Sequence, residues 1–163
     1  MDKSPDTELL GSMRAVIRLA RIAQQACEEA GLTLAQYRAL NSAVSGEQRA
    51  YEIARYTAVS RPAVSALTNG MVRAGLIERS DTAGDGRGVL FSITEHGEGS
   101  LRRAEVLLVE RITEVLGESS GALSALRALQ VEAIEEALDD QADRDFGAGR
   151  RRAWTTSRRG KDD

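Results

Sequence analysis

A two-faced helical segment followed by a glycine-rich hairpin constrains the fold more than any other part of this sequence. Residues 61–74 read RPAVSALTNGMVRA. At 100° per residue, Val64 and Met71 lie on one apolar side of a helix, and polar residues lie on the other. Ser60 is a suitable N-cap and Gly75 a suitable end. The sequence therefore predicts a helix with one buried and one solvent-facing side.

Two short strand candidates follow this helix. Residues 76–79 and 89–93 are rich in β-forming side chains, and the connecting SDTAGDGRG holds three glycines and two aspartates. This pattern predicts a two-stranded β hairpin with a turn-rich tip.

Apolar residues spaced three and four apart predict further helices before this motif. A stripe that ends at Cys27 indicates a first helix over about residues 6–30. Thr33 and Gln36 have the spacing of a capping box at the start of a second helix, and a short third helix is expected over about residues 49–57.

Two helices are predicted after the hairpin. Thr94 can cap a helix over residues 95–116, which Gly117 ends, and one last helix follows Ser120 to about residue 138. The order of elements predicts a mainly α fold, a winged helix-turn-helix with a two-stranded wing. Its predicted parts are amino-terminal helices (1–46), the helix–hairpin domain (47–97), carboxy-terminal helices (98–146) and a basic, disordered tail (147–163).

Composition narrows the function classes. The 163 residues are 42% hydrophobic, which suffices for a core, and no apolar run is long enough to span a bilayer. Cys27 and His96 are the sole cysteine and histidine, so no disulfide, no Cys/His zinc site and no catalytic pairing is expected. We therefore expect a cytoplasmic protein that is not an enzyme and needs no metal or cofactor.

Charge is distributed unevenly along the chain, whose net charge is −3. Residues 98–145 hold 12 acidic and 5 basic side chains, whereas residues 55–92 hold 5 arginines against 3 acidic residues. A DNA-binding protein needs only a local positive face. The helix–hairpin segment is the part of the chain that could supply it.

A helix-turn-helix places its second helix in the major groove, with phosphate contacts that fix register. The hairpin would bring Arg87, held by Asp85, to the narrower minor groove. Thr68 lies nearer the buried side and ranks below the other helix candidates, and Arg79 is expected at a phosphate. The candidate DNA contacts are Ser60, Arg61, Ser65, Thr68, Asn69, Arg73, Arg79, Asp85 and Arg87.

Residues 32–97 resemble the MarR family of bacterial transcriptional regulators. The resemblance lies in LTLAQYRAL and in YEIARYTAVSRPAVSALTNGMVRAGLIERSDTAGDGRGVLFSITEHG, above all the GLIER turn, the Asp85 and Arg87 pair and the SITEHG strand end. It implies that Asp85 orients Arg87 at the minor groove. Gly86 stands where the family often has a further arginine, so fewer wing contacts are expected.

The resemblance also implies an obligate homodimer that binds a pseudo-palindromic operator in double-stranded DNA. It implies that residues 1–46 serve dimerisation and support, that residues 47–97 are the DNA-binding domain, and that residues 98–146 are dimerisation helices. It implies a repressor that a small-molecule effector releases. The residues of a ligand site are not fixed by the sequence, although side chains that could border a crevice are Arg14, Arg18, Tyr37 and Arg38.

Other interpretations remain open. The winged helix could be a protein–protein interaction module without specific DNA binding, which exposed apolar residues on the outer side of its fourth helix would favour. Cys27 lies on a buried stripe, so a small hydrophobe is favoured over the redox sensor found in one branch of the family. The composition of the basic tail, which includes Trp154, favours a solvent-exposed chain end over a segment that adds phosphate contacts.

Overall fold

The computed structural model describes residues 6–44, 46–57, 61–81 and 89–138, with the side chains of 61, 62 and 81 excepted. The chain separates into two units, Met1–Glu118 and Ser119–Asp163.

The predicted mainly α, winged-helix fold is confirmed. The elements in chain order are α1 (Thr7–Glu29), α2 (Leu34–Ala43), β1 (Gln48–Arg49), α3 (Ala50–Thr57), α4 (Arg61–Arg73), β2 (Ile77–Asp81), β3 (Val89–Ile93), α5 (Glu95–Leu116) and α6 (Gly121–Arg127).

Side-chain caps define where the first two helices begin. The Asp6 carboxylate accepts from the backbone N–H groups of Glu8 and Leu9 at 3.0 and 3.1 Å. At α2, Thr33 Oγ1 accepts from the Gln36 N–H at 3.2 Å, and Gln36 Oε1 accepts from the Thr33 N–H at 2.8 Å. Because each bond satisfies a donor that the helix leaves free, the predicted capping box is confirmed.

One hydrophobic core joins all the larger elements of the first unit. The carboxy-terminal part of α1 packs with α2, α3, α4, α5 and the sheet, and Leu40, Ile53 and Met71 are its largest fully buried side chains. Core residues lie on both sides of the predicted domain limits at 46/47 and 97/98, and that division stays a prediction. The same core is shared by the helix–hairpin segment and the helices that flank it.

The two predicted wing strands are confirmed as β2 and β3, and a third strand that was not predicted, β1, completes the sheet. Its order is β1-β3-β2, all antiparallel, with Gln48 opposite Phe91 and Arg49 opposite Leu90. On the other edge of β3, Arg79 lies opposite Phe91. Sequence periodicity missed β1 because two residues are too few to show alternation.

Thr94 joins the base of the sheet to α5. Its Oγ1 donates to the Gly75 carbonyl at 2.6 Å and accepts from the Gly97 N–H at 3.0 Å, while its own N–H donates to the Leu76 carbonyl at 3.2 Å. The predicted cap of α5 is thereby confirmed, and the same hydroxyl also binds the turn that follows α4.

The second unit departs from the single helix predicted after Ser120. Ser120 Oγ accepts from the Leu123 N–H at 3.0 Å and starts α6 as expected. The helix then ends at Arg127, and residues 131–138 form a separate helical segment. The backbone N–H of Ala128 tightens the last turn by donating to Ala125 as well as Ser124. No glycine or proline lies between 122 and 138, so the sequence carries no breaker signal.

Candidate nucleic-acid interface

Helix α4 has the two faces that the sequence predicts. Val64 and Met71 are buried at 2% and 0% exposure, whereas Ser65, Asn69 and Arg73 are exposed. The exposed three stand four residues apart, so they line one side of the helix. That side offers hydroxyl, amide and guanidinium groups to a partner.

Thr68 does not belong to that exposed side. It is 3% exposed, and its Oγ1 donates to the Val64 carbonyl at 3.0 Å, one turn earlier in the same helix. The sequence already ranks Thr68 below the other candidate DNA contacts because it lies near the buried face of α4. Its burial in the structure argues against a direct contact with a base.

Arg79 of β2 reaches across to α4. Its guanidinium Nη2 donates to Oδ1 of Asn69, and its guanidinium carbon lies 5.8 Å from the centroid of the Phe91 ring. Both Asn69 and Arg79 are exposed, while Phe91 is 4% exposed. The strand and the helix therefore present an amide and a cation side by side, a contact that sequence spacing did not reveal.

Several predicted contacts lie outside the described residues. These are Ser60 and the two hairpin residues Asp85 and Arg87, while of Arg61 only the backbone, as the first residue of α4, is described. Their roles stay predictions. The structure brings together Ser65, Asn69 and Arg73 on α4, with Arg79 beside Asn69.

The edge of the sheet carries a contact that sequence reasoning missed. Ser80 Oγ donates to Glu47 Oε1 at 2.8 Å, which joins β2 to the segment before β1. The two residues are 33 positions apart, so a pattern search could find the pair only after β1 was placed. This bond steadies the strand that carries Arg79.

Cys27 and Tyr37 lie where α1 meets α2. Cys27 is fully buried, and burial raises the pKa of its thiol, an effect that Arg38 opposes and Glu28 reinforces. Burial also raises the pKa of Tyr37, with a smaller contribution from Glu105. A buried thiol with a raised pKa holds little thiolate near neutral pH, which supports the interpretation of Cys27 as a core residue.

The Cys27 thiol is expected to react with Ellman's reagent at pH 7 at least about 100-fold more slowly than a small free thiol, because a core site must open first. The rate should rise with pH, since the thiolate is the nucleophile. Unfolding in guanidinium chloride should restore the rate of a free thiol. Rapid labelling of the folded protein would contradict the inert assignment.

Among the open grooves that border α5 in the first unit, two also involve another helix. One, of about 630 Å³, lies between α1 and α5, where Arg111 forms an ion pair with Glu29. The other, of about 320 Å³, lies between the end of α2 and the start of α5, lined by Asn41, Val44, Glu98, Leu101, Arg102 and Glu105. Both have the volume of small-molecule sites.

The described ranges lack a metal-binding cluster and a membrane-spanning helix. They hold no cluster of three or more histidine, cysteine or acidic side chains placed to share a metal ion. No helix within them combines the length and apolar content needed to cross a membrane.

The sequence model described as "MarR family" matches residues 30–88. Among curated proteins no sequence matches significantly. Solved structures are similar in fold. CouR, a transcriptional repressor bound to a 23-mer DNA duplex, is 25% identical with a TM-score of 0.60, over 78% of this chain and 95% of its own.

Two other similar structures contain small aromatic acids. NadR in complex with 4-hydroxyphenylacetate is 22% identical with a TM-score of 0.62, over 85% of this chain and 96% of its own. The MarR family protein Rv2887 of Mycobacterium tuberculosis, in complex with salicylic acid, is 24% identical with a TM-score of 0.60, over 82% and 98%.

Proposed function

Because these matches confirm the resemblance to the MarR family of transcriptional regulators, we propose that the chain is a sequence-specific regulator that binds double-stranded DNA and represses transcription. The observation that carries the proposal is the exposed side of α4, where Ser65, Asn69 and Arg73 stand in line and Arg79 adds a cation beside Asn69. A helix of this kind fits the major groove, and the flanking arginines suit phosphates.

Homodimerisation is part of the proposal. In α1 the outward side chains of Leu9, Met13, Val16 and Ile17 are between 46% and 70% exposed. In α5, Val106, Val109 and Val115 are between 54% and 67% exposed. Apolar side chains concentrated on the helices that the family uses for its dimer support a two-fold interface, which would present two copies of α4 to a pseudo-palindromic operator.

Release by a small-molecule effector is the regulatory part of the proposal. The groove lies between α5, a proposed dimer helix, and α2, which packs against α3 and α4 of the proposed DNA-binding domain, and Arg102 on its wall could pair with a carboxylate. Small aromatic acids, the class bound by NadR and Rv2887, are therefore the first effectors to test. An effector must bind the two conformations of the dimer with different affinity to shift their populations.

This regulator would act in the cytoplasm, where the chromosome of a bacterium lies, and it would carry out no chemical reaction. The alternative of a protein–protein interaction module has less support. Of the side chains that the structure describes on α4, no large hydrophobic one is exposed, and Val72 packs against the core. A protein-binding helix would expose such residues.

A salt titration of DNA binding tests the proposal. The wild type is expected to bind DNA from upstream of its own gene well above random duplex, with affinity that falls as salt rises. Arg87→Ala and Asn69→Ala should each weaken specific binding about 5-fold or more. Arg18→Ala, which removes an exposed charge from α1 away from its outward apolar side, is the matched control and should bind as wild type.

Failure would have a clear form. If the wild type shows no preference over random duplex for its own upstream DNA or for a library of genomic fragments, even at low salt, specific DNA binding is excluded. The protein-interaction module would then become the better interpretation.

A further inference from the structure

The contact between α4 and β2 fixes which hydrogen bonds the exposed amide of Asn69 can offer. Arg79 Nη2 donates to this amide across a separation of ten residues. A guanidinium carries five N–H donors and no acceptor. The amide must therefore turn its oxygen towards Arg79, so its orientation follows from chemistry and is not interchangeable with the flipped form.

Arg79 is in turn held by the sheet. It pairs with Phe91 in the register of β2 and β3, and its guanidinium lies over the Phe91 ring, 5.8 Å from the centroid. Phe91 is part of the core and cannot move aside. A cation over an aromatic face is attracted to it, so the guanidinium has two independent restraints, the ring and the amide.

Arg79 and Asn69 together form a surface made mainly of hydrogen-bond donors. With Oδ1 directed at Arg79, the amide presents the two N–H groups of Nδ2 to the solvent. Asparagine usually contacts adenine through two bonds, with its oxygen accepting from N6 and its nitrogen donating to N7. Beside Arg79, an adenine amino group would have to share that oxygen with a cationic donor.

We infer that Arg79 sets the base preference of Asn69, so that the pair selects guanine or thymine over adenine in the major groove. This inference rests on the proposed DNA-binding function. The exposed edges of guanine and thymine carry the acceptors O6, N7 and O4, which suit a surface of donors. Arg79 is thus a positioning residue for Asn69 in addition to any phosphate contact of its own.

Selection of bound sequences from a random duplex library tests this. Comparison of wild type with Asn69→Ala identifies the base pair that Asn69 contacts, where the wild type should select guanine or thymine. Arg79→Ala frees the amide oxygen for a bidentate contact. At that position the ratio of adenine to guanine and thymine should rise about 5-fold or more over wild type, the discrimination that one bidentate contact gives.

Two controls separate positioning from charge. Arg73→Ala removes a cation from the same surface without removing the bond to Asn69, and it should lower affinity on all sequences with no change of base preference. In an Asn69→Ala background, a further Arg79→Ala change should leave the preference at that position unaltered, because the effect of Arg79 runs through Asn69.

The outcomes distinguish failure of the inference on Arg79 from failure of the proposed DNA-binding function. If wild type enriches a sequence but Arg79→Ala lowers affinity uniformly with the same base preference, Arg79 is a phosphate contact only and the inference is overturned. An Asn69→Ala variant with an unchanged preference at every position would overturn it as well. If wild type enriches no sequence at all, the proposed function itself has failed.

Discussion

An Ile17→Asp variant is expected to be monomeric at micromolar concentration, where the wild type should be a dimer. Ile17 is 70% exposed in the single chain and belongs to the apolar outward side of α1. Burying an unpaired carboxylate in a dimer interface is strongly unfavourable. Sedimentation velocity would show the change of mass, and affinity for the operator should fall about 100-fold or more, since the two half-sites would no longer be bound together.

Arg18→Asp is the control for this experiment. Arg18 stands one residue further along α1, away from the outward apolar positions, so its change to aspartate carries a larger loss of helix propensity and a larger change of charge. It should remain a dimer. A dimeric Ile17→Asp variant would show that α1 does not form the interface.

A Gly97→Ala variant is expected to be destabilised by about 2–3 kcal/mol. Gly97 is buried in the first turn of α5, and a Cβ there would lie 2.1 Å from the Leu76 carbonyl oxygen and 3.0 Å from Cγ1 of Ile93. The carbonyl is backbone that Thr94 also binds, so it cannot yield cheaply. Thermal unfolding at a fixed protein concentration should show a decrease in Tm of about 4–12 °C.

Gly99→Ala provides a test of opposite sign within the same helix. A Cβ at Gly99 would meet no atom within 4 Å. Alanine should therefore stabilise α5 by about 0.5–1 kcal/mol, because glycine loses more conformational freedom in a helix. Equal effects of the two substitutions would contradict the close approach of α5 to the turn after α4.

Local signals in the sequence were sufficient for most helix boundaries. Each helix cap joins a side chain to a backbone N–H three residues later, so the pattern is visible in the sequence. This holds for the capping box of Thr33 and Gln36 and for the caps Thr94 and Ser120. The end of α6 at Arg127 was not visible in the sequence, because it results from a tightened turn without a breaker residue.

The candidate interface was predicted in its helical part and missed where the chain folds back. Spacing in α4 separates Ser65, Asn69 and Arg73 from the core. The bond from Arg79 to Asn69 needed the packing of β2 against α4, and the place of Phe91 under Arg79 needed the strand register. Such contacts depend on tertiary geometry, which single-chain periodicity does not encode.

The hydroxyl of Thr94 has a mechanical consequence for signalling. Thr94 Oγ1 forms hydrogen bonds with both the turn after α4 and the first turn of α5. The base of the sheet and the start of α5 should therefore rotate together as one rigid body. In the proposed dimer, a tilt of α5 would then move α4 with it. In the proposed regulator, loss of this hydroxyl should uncouple effector binding from the release of DNA while leaving each binding event intact.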